Sequence, residues 1–76
     1  MKNNYSEKEI TMYVKTKFPG YKVKKIRDTS SVYLFMCEAL DRNIIPSKIA
    51  VAINKTNLKI GTSILGYEEA ISEALR

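Results

Sequence analysis

Val32-Tyr33-Leu34-Phe35-Met36-Cys37-Glu38-Ala39-Leu40 is the stretch on which the fold turns. It stands between two polar turns, Thr29-Ser30-Ser31 and Asp41-Arg42-Asn43, and reads as a strand. Successive side chains of a strand point to opposite faces. Val32, Leu34, Met36 and Leu40 therefore share one face, and Tyr33, Phe35, Cys37 and Ala39 the other, with Glu38 the sole charge. A strand apolar on both sides belongs in the middle of a sheet. The alternation does not say which of its faces the core covers.

Working outward, residues 21–28 alternate only as far as Lys24-Lys25. Tyr21 and Val23 share a face, but Ile26 falls on the other unless an extra residue intervenes. A bulge at Lys24-Lys25 is expected to return Ile26 to the core face and leave both lysines outside. On the other side, Ile44-Ile45-Pro46 leads toward a further strand, and whether Ile44-Ile45 joins the sheet stays open, since proline is tolerated only at a strand start or edge. Residues 48–54 set Ile49, Val51 and Ile53 against Ala50 and Ala52. Asn54-Lys55-Thr56-Asn57 reads as a hairpin loop. Beyond it Leu58, Ile60 and Thr62 oppose Lys59, Gly61 and Ser63.

Helical signals lie at both ends. Ser6-Glu7-Lys8-Glu9 has the form of a capping box, with Tyr5 and Ile10 at the positions of a hydrophobic staple. Ile10, Tyr13, Val14 and Phe18 then recur at helical spacing until Pro19-Gly20 stops the element. After Gly66, Tyr67, Ala70, Ile71, Ala74 and Leu75 form a second apolar stripe, with Glu68 and Glu69 in the first turn where the helix dipole favours them. The expectation is one α+β domain over residues 1–76, in the order α-β-β-β(-β)-α. It is a two-layer sandwich in which an antiparallel sheet of three to four strands carries both helices on one face. The opposite face then stays open.

Composition removes most chemistry. The 76 residues contain no histidine and one cysteine, which excludes imidazole acid–base catalysis, Ser-His and Cys-His nucleophilic pairs, and a zinc or iron–sulfur site. The glycine spacing of Gly61-Thr62-Ser63-Ile64-Leu65-Gly66 resembles a phosphate loop, but Tyr67-Glu68 stands where Lys and Ser/Thr are required. Glu69 and Glu73, one helical turn apart, read as a solvated face. The chain is therefore expected not to be an enzyme and to need no cofactor and no metal. A single cysteine, no apolar segment after the N-terminal charge and no long apolar run point to a cytoplasmic protein without a membrane role. Cys37 is expected as a packed apolar residue rather than a reactive thiol.

Charge is the one feature that points toward a partner. Of a net +5, the first 27 residues carry eight basic residues against Glu7 and Glu9, whereas the rest is slightly acidic. Lys15, Lys17, Lys22, Lys24, Lys25 and Arg27 cluster around one helix end and one suspected edge strand. With Tyr33 and Phe35 turned outward they would make an aromatic platform framed by cations, as used for single-stranded nucleic acid. With the rings turned inward, the lysines are an ordinary edge defence. An uncovered apolar sheet face is instead a surface for a protein partner or a homodimer. The protein or homodimer partner is the leading expectation, and nucleic acid is the alternative.

The layout that runs from Ser6-x-x-Glu9 into Tyr21-Lys22-Val23 and ends in a short acidic helix resembles small domains of unknown function. Such domains are encoded in low-GC Gram-positive bacteria, often on mobile elements. The resemblance implies an accessory or regulatory role and no activity, and it transfers no functional residue.

Overall fold

A computed structural model describes residues 5–76. The first four residues, including Lys2 of the basic region and the start of the stretch weighed against a signal peptide, lie outside the described residues. The chain forms α1 (Glu7–Lys17), β1 (Tyr21–Asp28), β2 (Val32–Ala39), β3 (Lys48–Asn54), β4 (Ile60–Ser63) and α2 (Tyr67–Leu75). The strands make one antiparallel sheet in the order β1-β2-β3-β4, so each pairs with its neighbour in sequence. This is the α+β fold and element order that the sequence dictates, with Ile44 and Ile45 outside the sheet.

The capping box forms as its residues imply. Ser6 Oγ accepts from the Glu9 amide at 3.2 Å, and Glu9 Oε1 accepts from the Ser6 amide at 2.9 Å. Ile10 and Val14 then face inward, fully buried. Gly20, at φ +87, turns the chain into β1. That left-handed value suits glycine, which has no Cβ to clash with the carbonyl.

The helices divide between the two faces of the sheet rather than sharing one. On one face α1 lays Ile10 and Val14 over Phe35, Cys37, Val51 and Ile53, with Tyr21, Val23, Tyr33, Ile49 and Ile60 at the margin. On the other, α2 lays Ala70 and Ala74 over Val32, Leu34 and Ala52, with Tyr67 and Ile71 beside them. The arrangement is helix, sheet, helix. Its cause is the double-sided β2: both Phe35 and Leu34 must leave water, and one helical layer covers only one of them. Small residues let α2 come close. Gly61 lies so near that a Cβ there would stand 1.9 Å from the Ala70 carbonyl oxygen.

The bulge also sits differently. The register runs unbroken through Lys25↔Phe35 and slips before Arg27↔Leu34, so Ile26 is the extra residue. Ile26 is 43% exposed and joins neither core cluster, contrary to the expected return to the core face. Lys25 is held in line by its own contacts. Its ammonium binds Glu7 at 2.9 Å and stands 5.8 Å from the centre of the Tyr33 ring.

Candidate interaction surface

The eight residues singled out from the sequence do not form one surface. Lys15 and Lys17 lie exposed in the last turn of α1, where the helix dipole favours cations, and the Lys17 ammonium stands 5.4 Å from the Tyr13 ring centre. Lys25 belongs to the α1 side of the sheet. Its hydrogen bond to Glu7 raises its pKa, against a smaller opposing effect of desolvation. Tyr33 is half-buried on that same side, between Lys25 and a Lys55 ammonium 4.5 Å from its ring centre. Lys55 is itself tied to Asp28 at 3.2 Å. Phe35 is fully buried beneath α1.

The register places the remaining cations on the opposite side. Lys22 pairs with Glu38, Lys24 with Met36 and Arg27 with Leu34, all positions on the α2 face of β2. The aromatic rings and these three cations are therefore separated by the sheet itself. Among the described residues these two rings form no open platform, because Phe35 is core and Tyr33 has the Lys25 and Lys55 ammonium groups against it. This corrects the expected platform: the register sets Lys22, Lys24 and Arg27 opposite even-numbered residues of β2, whereas Tyr33 and Phe35 point to the other face. Sequence alternation did not foretell that both faces would be covered.

A different surface emerges at one end of the sheet. β2 ends there, β3 begins and β4 runs into α2, so three connections converge. Leu40 is 70% exposed, Ile45 88%, Ile64 71% and Leu65 80%. The loop over residues 40–47 does not fold across the sheet. Only Ile44 and Pro46 turn inward, Ile44 beside Gly20 and Pro46 with its carbonyl accepting from the Tyr21 hydroxyl at 2.7 Å. Beside Ile64 lies an open hollow of about 340 Å³, lined by Phe18, Pro46, Ile49, Thr62, Ser63 and Ile64. The signal for this surface was present in the sequence as apolar pairs, Ile44-Ile45 and Ile64-Leu65, standing where turns call for polar residues.

Two buried titratable groups complete the chemistry of the described residues. The Tyr67 hydroxyl, one residue beyond Gly66, is buried and has no hydrogen-bond partner among the described residues. Burial raises its pKa, with a smaller contribution from Cys37. Cys37 is fully buried, and desolvation pushes its thiol up to about 11. A thiol held protonated in this way is a poor nucleophile. Among the described residues no three His, Cys, Asp or Glu side chains gather as metal ligands. No described helix is long and apolar enough to cross a membrane. Comparison with protein-family models, with curated proteins and with solved structures returns no match, and the functional reading rests on the chain's own geometry.

Proposed function

We propose that this chain is a non-enzymatic accessory domain that binds another protein, in the first place a second copy of itself, through the apolar end of its sheet. The observation that carries the reading is the set of four aliphatic side chains, Leu40, Ile45, Ile64 and Leu65, each at least 70% exposed at that one end. A lone exposed leucine needs no explanation, but several at one end of a sheet mark a contact surface. The sheet faces that the sequence suggested for this role are largely occupied by the helices.

The test is sedimentation at micromolar concentration on the unaltered chain and on an Ile45→Asp/Leu65→Asp double variant. The expected result is concentration-dependent association that the double variant abolishes while its circular dichroism stays unchanged. A strict monomer at all concentrations removes self-association. Nucleic acid is the second reading, supported by the exposed Lys22, Lys24 and Arg27, which form no ion pair among the described residues. With Phe35 buried, only phosphate contacts support it, and their signature is a steep loss of affinity with salt.

A further inference from the structure

The two edges of the sheet are finished differently. At the β4 edge, α2 supplies the closure: Glu73 Oε1 accepts from the Thr62 amide at 3.0 Å and Glu69 Oε1 from the Ser63 hydroxyl at 2.9 Å. Lys59 adds a bond from its ammonium to the Arg76 carbonyl at 2.8 Å. At the β1 edge nothing comparable occurs among the described residues. No described residue outside the sheet bonds the backbone of Lys22, Val23, Lys24 or Lys25.

The ladder fixes which groups are open. The Leu40 amide donates to the Gly20 carbonyl at 2.9 Å, which makes Gly20 and Leu40 a bonded pair. Bonded and non-bonded pairs alternate along an antiparallel ladder. Lys22 and Lys24 thus spend their amides and carbonyls on β2, whereas those of Val23 and Lys25 point away from it. Beyond Lys25 the bulge at Ile26 breaks the line. The open template is short: two amides and two carbonyls over residues 22–25.

Side chains decide what fits this edge. Lys22 and Lys24 stand exposed on one face, about 7 Å apart at the rise of a strand, and Arg27 follows on that face beyond the bulge. None of the three is neutralised by a described partner, and the Glu38 carboxylate opposite Lys22 is already shared with Lys48 at 3.9 Å. A second copy of β1 laid against the first would set lysines against lysines, which is unfavourable for directly opposed pairs. On the other face Val23 is half-buried at the margin of the core. An incoming strand with carboxylates at alternate positions and apolar side chains between them meets all of these conditions.

We infer that the β1 edge is a docking site for an acidic, extended peptide segment of a partner protein, which adds as a fifth strand beside residues 22–25. The lysines act as a filter: they reject neutral strands and further copies of this chain, and admit a strand of opposite charge. This site is independent of the apolar end proposed above. The two fail separately, since one is read as peptide binding and the other as self-association.

The test uses a synthetic peptide of alternating Glu and Val, with amide hydrogen exchange followed by NMR at low salt. Its controls are the same peptide with N-methylated valines, a Lys/Val peptide, and a thymidine single strand. The expected result is about tenfold slower exchange at Val23 and Lys25 with the Glu/Val peptide alone, weakening as salt screens the charges. A Lys22→Glu/Lys24→Glu variant, altered only at exposed positions, is expected to bind the Lys/Val peptide instead. Unchanged Val23 and Lys25 amides overturn the proposal. So does equal binding of the N-methylated peptide or of the single strand, since either would show attraction by charge without strand pairing.

Discussion

At the scale of single residues, Cys37 shows how burial disposes of a reactive group. It lies in the middle of β2 beneath α1, fully buried, and its thiol is pushed from an ordinary 9.0 up to about 11. The cause is desolvation alone, which disfavours the thiolate. A folded-state value above the unfolded one stabilises the fold fully below pH 9.0, and that stabilisation is lost as pH rises through about 11. We expect the thermal midpoint to fall across this window by the equivalent of roughly 1–3 kcal/mol. Cys37→Ala should remove that part of the pH dependence while starting lower because of the cavity it leaves. Parallel melts of the two proteins at neutral and alkaline pH check this, and identical slopes would refute it. Lys25 is exposed, as its sequence implies, but its register was not legible locally. Its contacts to Glu7 and Tyr33 hold it in the ladder opposite Phe35, and the bulge falls at Ile26 instead of Lys24-Lys25.

At the scale of elements, most local signals were legible. The capping box, the Pro19-Gly20 stop and the period-two alternation of β2 and β3 all appear where the residues place them. The last strand was read two residues too long, because Leu58, at φ 62, still belongs to the turn. What local signals did not carry is the docking of α2. That helix approaches through small residues, Ala70 and Ala74 against Gly61 and Ala52, and its close seat leaves no room for a Cβ at Gly61. Gly61→Ala is expected to cost about 1–3 kcal/mol or more, because the atoms it meets are helix backbone and cannot step aside. Gly66→Ala is the control: nothing lies within 4 Å of its Cβ, and its extended φ suits any residue. Denaturant midpoints of the two variants settle the matter. Equal effects would mean that α2 is free to move off β4.

At the scale of the whole molecule, the sheet is protected in its centre and varied at its borders. β2 and β3 are paired on both sides and covered on both faces, whereas from Lys24 onward every residue of β1 is exposed. Native-state hydrogen exchange is expected to be slowest in β2 and β3 and much faster at the outward amides of Val23 and Lys25. Uniform protection across all four strands would contradict the openness of that edge. The borders are also where the two proposed contacts lie, the apolar end and the cationic edge. The sequence by itself determined the two helices, the succession of elements along the chain and the double-sided character of β2, because capping, turn chemistry and periodicity act over a few neighbouring residues, while the order of the strands in the sheet came from the structure. It also determined that the chain carries no histidine and a concentrated basic first third. Only the tertiary structure decided that the helices take opposite faces, that Phe35 is core and that Lys22, Lys24 and Arg27 lie across the sheet from the rings. The physical reason is that covering a face, sealing an edge and pairing a charge depend on residues far apart in the chain.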